Sequence, residues 1–378
     1  MTNDITSCAT QLASTRPKMQ GFTLVEILVA TSIGLIILAA VSQIFVTSHS
    51  TFRLEGDLAR LQENGRFSVE FVGQDVRMSG NLGCMQKYSV LAGTIVDPVT
   101  NQLNNNTDYG WDFSAGQHLR GHTYTGSGTA LGDWTPALPG TINGLTYFTD
   151  GEVSENTDVL MTRRAMAETF KLTAAVTAGG TPNIGTPNGI GNDDIVLITD
   201  CNVGDVFQIT STGDPNTDGN LPHGTGGTPG NVGNNLSRTY GINSEVSRVV
   251  TRLYYIGPGT DGVTPTLFRK DITSGTADPV PQPLVDNVEV MRVLYGEDTD
   301  APSDNEANIY RQANNVVNWT NVVSVRIALL VRTAAESGDV DTKTYNLAGI
   351  SVDPTPTNDD RRQRRVFTST IQLRNPIP

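Results

Sequence analysis

An uncharged stretch near the N-terminus constrains this chain more than any other feature. From Ile27 to Phe52 there is no Asp, Glu, Lys or Arg. As an α-helix these 26 residues would reach about 39 Å, whereas the hydrocarbon core of a bilayer is about 30 Å thick. The apolar region of a secretory signal is only about 7–15 residues long. The stretch therefore predicts a single membrane-spanning helix, and an uncleaved signal anchor would also fit its length.

The rest of the chain is polar and acidic. The formal net charge is −13, only 17% of the 378 residues are charged, and there are three cysteines. This composition argues against a basic nucleic-acid binder, a transporter with many spans and a disulfide-rich miniprotein. The composition therefore favours a mostly extramembrane protein with one N-terminal apolar segment.

The helix is predicted to continue beyond the apolar stretch. Apolar residues follow mostly at three- and four-residue spacings among charged ones, which is typical of an amphipathic helix. They are Leu54, Leu58, Leu61, Phe67, Phe71 and Val72. Gly56, Gly65 and Gly73 weaken such a helix, and the segment from Ser79 to Gly83 predicts its end near Met78.

Short β-rich runs separated by loops of Gly, Asn, Thr and Pro dominate the remainder. The alternation of apolar and polar residues in several runs predicts an antiparallel sheet with one face on the core. The predicted strands are 159–162, 195–199, 206–210, 246–256, 266–269, 285–294, 322–333 and 366–373.

Glu26 stands at the head of the apolar stretch, where an ionised carboxylate costs a few kcal/mol unless it finds a partner. It closes the segment GFTLVE, from Gly21 to Glu26, which resembles the type III signal of type IV pilins. The resemblance implies that a prepilin peptidase cleaves after Gly21 and that Phe22 becomes the N-methylated first residue. Glu26 would then neutralise an N-terminal amine during filament assembly, as a buried pair requires.

Three further segments resemble PilW-type minor pilins: Leu61–Cys84, Asn318–Arg332 and Arg365–Asn375. The resemblance implies a pilin-like α+β fold in which a long N-terminal helix, half transmembrane and half amphipathic, packs on an antiparallel β-sheet with long loops. The expected divisions are a leader at 1–21, a transmembrane and assembly half at 22–52, an amphipathic half at 53–80 and a periplasmic β-rich domain at 81–378.

The function implied by this resemblance is assembly, not catalysis. We expect a minor pilin in a tip or initiation complex that primes the type IV pilus, with links to adhesion and twitching motility. Its expected partners are the prepilin peptidase, other minor pilins, the major pilin, the inner membrane and a tip adhesin, with no nucleic acid. We expect one pass through the inner membrane, a periplasmic C-terminal domain and then a place at the pilus tip. The alternatives are a J-type pseudopilin of type II secretion and a membrane-anchored adhesin outside any filament.

The resemblance also bears on the cysteines. Cys8 lies in the expected leader and would be lost, which leaves Cys84 and Cys201 in an oxidising compartment. PilW-type sequences resemble this chain around both positions, and the resemblance implies a disulfide. Two buried free thiols are the alternative.

Other candidate sites are weaker. Asp214, Asn216, Asp218 and Asn220 match the first half of an EF-hand-type calcium loop, but position twelve is Thr225. Asx turns explain the same residues without metal. The sequence predicts that Glu297–Glu306 is an acidic loop exposed to solvent and that Arg361–Arg365 is a basic surface arm. His118 and His122 are four residues apart but lack a helical context, so no zinc site is predicted there. No catalytic motif stands out, and no cofactor other than this calcium is expected.

Overall fold

The computed structural model describes residues 21–85, 89–91, 94–104, 109–210, 213–336, 340–353 and 360–374. The predicted leader, with Cys8, lies outside these residues except for Gly21. The chain divides into two compact units, Met1–Gly56 and Asp57–Pro378.

A single long helix begins almost at the predicted cleavage point. Helix α1 spans Leu24–Arg77, close to the predicted range. Its apolar part is long and apolar enough to cross a membrane. Gly80 follows the helix with φ of +75°, a conformation that glycine adopts without steric cost, and its N–H donates to the carbonyl of Arg163. The helix therefore ends where the sequence indicated.

Short and long strands make up most of the second unit. In chain order the described strands are β1 (Ser89–Leu91), β2 (Thr94–Val96), β3 (Val99–Asn101), β4 (Leu119–Tyr124), β5 (Trp134–Thr135), β6 (Thr141–Ile142), β7 (Leu145–Thr146), β8 (Val159–Lys171), β9 (Ile195–Thr199), β10 (Gly204–Gln208), β11 (Glu245–Pro258), β12 (Pro265–Ile272), β13 (Gln282–Asp286), β14 (Val288–Glu297), β15 (Ile309–Arg311), β16 (Val322–Arg332), β17 (Tyr345–Leu347), β18 (Ile350–Val352) and β19 (Arg364–Gln372). A four-residue helix α2 (Pro215–Asp218) and 3-10 turns at Leu131–Asp133, Ala313–Asn315 and Trp319–Asn321 complete the list.

The larger sheet has nine strands. Its order is β3-β10-β9-β11-β8-β4-β5, and β12 and β13 continue from β11. The pairs are antiparallel except β3 with β10, which is parallel. The core on one of its faces includes Trp111, Trp134, Leu197 and Leu253. Long strands β8 and β11 thus form the centre of the domain.

The smaller sheet has four strands in the order β15-β14-β16-β19. Strands β13 and β14 were predicted as one strand, 285–294, and this was wrong. Asn287 between them has φ of +64°, a left-handed conformation that Asn tolerates better than most residues. The chain turns there from the larger sheet into the smaller one.

Strand β16 is buried on both faces, whereas one buried face was predicted. Val325, Ile327 and Leu329 face the core that includes α1. Leu330 packs on the other face against the hairpin β17–β18, through Leu347 and Val352. The hairpin covers the face expected to meet solvent.

The amphipathic half of α1 packs on this domain through Leu61, Val72 and Val76. Small residues on the helix allow close approach: a Cβ on Gly65 would lie 2.3 Å from the ring of Phe367. Leu61 and Val72 of the predicted apolar stripe are buried by this packing, whereas Leu58, Phe67 and Phe71 remain exposed. The predicted α+β architecture, with a long helix on antiparallel sheets, is confirmed.

Candidate assembly site at the N-terminus

Glu26 lies in the first turn of α1 and caps it. Its Oε2 accepts hydrogen bonds from the backbone N–H and the hydroxyl of Thr23, both at 2.9 Å. The Thr23 hydroxyl in turn accepts from the Glu26 N–H at 3.2 Å. This reciprocal pattern is a capping box, which satisfies donors left free at a helix start. The Thr-x-x-Glu spacing is visible in the sequence, but the sequence analysis did not use it.

The residues around Glu26 are open on all sides within the first unit. Phe22 is 82% exposed, and large apolar side chains remain exposed along the helix as far as Phe52. A Cβ on Gly21 would meet nothing within 4 Å. Gly21, Phe22 and Glu26 therefore lie together at one helix end, with an exposed peptide bond after Gly21. Such a surface suits lipid or the helices of other subunits.

The second unit contains the predicted disulfide. Cys84 and Cys201 are bonded, with Cα atoms 4.9 Å apart. Cys201 occupies the turn between β9 and β10, at φ of +70°. The bond ties the segment that follows α1 to the larger sheet.

The four residues of the predicted calcium loop bind one another and their neighbours. Asp214 caps α2 by accepting from the Asn216 N–H, and Asp218 accepts from the Asn220 N–H. The side-chain oxygen of Asn216 accepts from the N–H groups of Asn188 and Gly189. The Asp214 and Asp218 contacts are Asx turns, which favour the alternative interpretation of this loop. Calcium binding stays a prediction.

The acidic loop after β14 is less exposed than expected. Glu297 and Asp298 are 1% and 4% exposed. Glu297 pairs with Arg311 at 2.9 Å, and Asp298 accepts from the Ser303 hydroxyl and the Asn305 N–H. Both side chains are buried and bonded to neighbouring residues of the domain, so the prediction of a loop exposed to solvent was wrong for Glu297 and Asp298. Ligand atoms of Asp298, Asp300 and Asp304 lie within 4.8 Å of one another.

The two candidate histidines have separate surroundings. His122 contacts the Tyr109 hydroxyl at 2.9 Å and the Pro136 carbonyl at 2.8 Å. His118 packs beside Gly80. Burial lowers the pKa of each ring to about 4, so both are neutral near pH 7.

One buried cluster was missed by sequence reasoning. Asp75 on α1 is 3% exposed and pairs with Arg252 at 2.8 Å and Arg164 at 3.1 Å, while the Tyr254 hydroxyl also donates to it. Its position three residues after Val72 on the amphipathic stripe was the available signal, because a charge among core-facing residues needs partners.

Two family models match parts of the chain. The family model "Type IV Pilus-assembly protein W" matches residues 253–375, which begin within β11 and end three residues after β19. The model of the prokaryotic N-terminal methylation motif matches residues 16–42, which include Gly21, Phe22 and Glu26.

Comparison with curated proteins finds no match. Among solved structures, a type IV-like pilin from Thermus thermophilus is similar at 19% sequence identity and a TM-score of 0.25, over 34% of this chain and 70% of that one. With an N-terminal methylation motif at one end and a match to the pilus-assembly family at the other, the chain is similar to the PilW-type minor pilins of type IV pili.

Proposed function

We propose that this protein is processed at Gly21, methylated at Phe22 and built into a tip or initiation complex that primes the pilus. The chain inserts once in the inner membrane, and its second unit lies in the periplasm until assembly. The other minor pilins, the major pilin and the prepilin peptidase are its partners. A role in pilus biogenesis follows from the family; the position at the tip is the proposal.

One observation carries this proposal: Glu26 is the only charged residue between Lys18 and Arg53. It sits on a helix whose apolar side chains are exposed over this length. In a filament core those side chains would pack against other helices. The Glu26 carboxylate would then exchange its Thr23 contacts for the Phe22 ammonium of its own or a neighbouring subunit. A buried carboxylate without such a cation would cost several kcal/mol.

The mature N-terminus tests the processing step. Mass spectrometry of the purified protein should show a chain that begins with N-methylated Phe22. An intact Met1, or a cut after Ala40, would contradict the proposal.

Deletion of the gene should reduce surface piliation and leave protein secretion unchanged; loss of secretion with normal piliation would instead indicate a pseudopilin.

A matched pair of variants separates assembly from helix capping. Glu26→Ala should insert in the membrane normally but lower its amount in sheared pili at least tenfold, because a lost buried pair costs about 3–5 kcal/mol. Thr23→Ala removes the capping hydroxyl but keeps the carboxylate, so it should change incorporation less than twofold. Equal effects of the two variants would reduce the role of Glu26 to capping.

A further inference from the structure

A cavity in the second unit has no part in the assembly function described above. Its volume is about 460 Å³, and polar, aromatic and apolar residues line it. The residues that matter here are Asp112, Gln117, Arg120, His122, Pro136 and Trp319. They come from the loop before β4, from β4 itself, from the segment after β5 and from the turn before β16. The volume suits a small ligand.

Buried contacts hold the walls of this cavity in place. Arg163 is 1% exposed and donates to the carbonyls of Tyr109 at 2.7 Å and Gln117 at 2.8 Å, and also to that of Asp112. These bonds fix the loop before β4, which carries the lining side chains of Asp112 and Gln117. A polar wall supported in this way is preorganised, which lowers the entropy cost of binding.

The opposite wall is equally well supported. The ring of Trp319 packs edge-on against Tyr295, with centroids 4.7 Å apart. Glu297 accepts from the N–H groups of Val317 and Asn318, just before the tryptophan. Trp319 is half-buried, and the guanidinium of Arg120 lies 5.0 Å from its ring centroid. The wall thus presents an aromatic group beside a fixed cation.

Several polar atoms of the cavity have no partner within the described part of the chain. Arg120 donates through Nε to Gln117 Oε1 at 2.5 Å, which leaves its two Nη groups and the amide nitrogen of Gln117 without a hydrogen bond among those residues. Asp112 accepts through Oδ1 from the Ser114 N–H, and its Oδ2 is likewise unused there. The cavity therefore offers a donor fork, an amide donor and a carboxylate acceptor.

The charges of these groups cancel. Arg120 is positive and Asp112 is negative, while His122 is neutral near pH 7 because burial lowers its pKa to about 4. A ligand with a net charge would meet one attractive and one repulsive group. An uncharged ligand with many hydroxyls can bond both, since a hydroxyl donates and accepts.

We propose that this cavity binds an uncharged saccharide. Hydroxyl groups of the sugar bond Asp112, Gln117 and Arg120, and the apolar C–H groups of its ring pack on Trp319 and Pro136. Aromatic side chains beside a few fixed polar groups give such a site both contact area and orientation. This site is independent of the N-terminal helix and of the proposed assembly role.

Saturation-transfer NMR on the full chain tests the proposal. The protein is held in micelles of lauryldimethylamine oxide, because detergents with sugar headgroups would compete. The neutral probes are glucose, galactose, mannose, N-acetylglucosamine and N-acetylgalactosamine, and glucuronate is tested as a charged sugar for comparison. At least one neutral sugar should give a saturable signal, with a Kd on the order of millimolar, which corresponds to about −4 kcal/mol. No signal from any neutral sugar, or binding of glucuronate alone, would overturn the proposal.

Three variants test whether the saturation-transfer signal of the sugar comes from this cavity. Arg120→Gln removes the donor fork, and Ala137→Trp fills the cavity from an exposed position, so each should lower the signal at least fivefold. Arg238→Gln, a partly exposed arginine outside the cavity, is the control and should leave it unchanged. Since Ala137 is exposed, its substitution tests the site even if Arg120→Gln disturbs folding. A signal that persists in Ala137→Trp would place the sugar elsewhere and overturn the assignment.

Discussion

At the scale of single residues, acidic side chains in this molecule act through the partners they find. Glu26 closes a capping box with Thr23 in the isolated chain, and the proposed filament offers it a second partner. Asp75 already has its partners, because Arg164, Arg252 and Tyr254 converge on it from strands β8 and β11. We propose that Glu26 changes partners on assembly, whereas Asp75 fixes the helix to its own domain.

Substitution of Asp75 should therefore destabilise the domain strongly. Asp75→Asn removes the buried carboxylate that Arg164 and Arg252 share, although Arg252 keeps its ion pair with Asp271, and we expect the free energy of unfolding at pH 7 to fall by about 3 kcal/mol. Urea unfolding of the full chain in detergent measures this change. Glu63→Gln, an exposed position on the same helix, is the control and should stay within about 0.5 kcal/mol of wild type.

The same variant should show a defined pH dependence. Burial alone would raise the pKa of Asp75, but Arg252, the Tyr254 hydroxyl and Arg164 outweigh it, so the pKa lies below its usual value. A carboxyl with a lowered folded pKa contributes stability above its unfolded pKa of about 3.9 and loses it as the pH falls through the folded value. The difference between wild type and Asp75→Asn should thus shrink below about pH 4. A constant difference down to pH 2 would contradict this account.

At the scale of helices and strands, close packing of α1 on β19 makes its glycines unequal. A Cβ on Gly65 would overlap the Phe367 ring, whereas a Cβ on Gly56 would meet nothing within 4 Å. Gly65→Ala should lower the free energy of unfolding by about 1–3 kcal/mol, the usual cost of overpacking. Gly56→Ala should leave it unchanged or raise it by up to about 1 kcal/mol through helix propensity.

Thermal unfolding followed by circular dichroism compares these two variants directly. Both changes add the same methyl group to the same helix, so propensity cannot explain a difference in sign. Equal stabilisation by both would show that the helix does not hold Gly65 against strand β19.

The sequence located several strands because their patterns are local, but for the long strand β8 (Val159–Lys171) it predicted only residues 159–162. The range 195–199 agrees with β9 residue for residue, and 246–256 lies within β11. Asn287 was missed because a left-handed residue leaves no break in a β-rich run. The second buried face of β16 was missed because hairpin β17–β18 covers it from a distant part of the sequence. Leu330, the apolar residue on the face expected to be polar, was the one local signal.

At the scale of the whole molecule, the resemblance pointed to the disulfide, which the structure contains, and it predicts the N-terminal assembly residues, but it gave no indication of the cavity. A short motif such as GFTLVE can be recognised from the sequence because its residues are consecutive. Asp112 and Trp319, by contrast, are brought together only by the folded domain. No spacing in the sequence links them, and neither belongs to a motif of its own.

The disulfide gives a prediction for the entire chain. The processed protein, denatured without reductant, should show no free thiol, and two after reduction. Unprocessed precursor should show one thiol, from Cys8. Cys84→Ser should lower the free energy of unfolding by about 2–5 kcal/mol, while Cys8→Ser should leave it unchanged. Two thiols in processed protein without reductant would contradict the bond between Cys84 and Cys201.

The position of that bond has a mechanical consequence. Tension along the last turns of α1 reaches the sheets by two routes: the noncovalent contacts of the helix, which include its packing on β19 and the ion pairs of Asp75 with β8 and β11, and the short segment to Cys84 with its covalent link to the β9–β10 turn. The first route can shear, because noncovalent contacts can break and form again as the helix slides. The second cannot be broken without cleaving a bond. In a fibre that is pulled, the domain would stay attached to its helix after the packing between them had slipped.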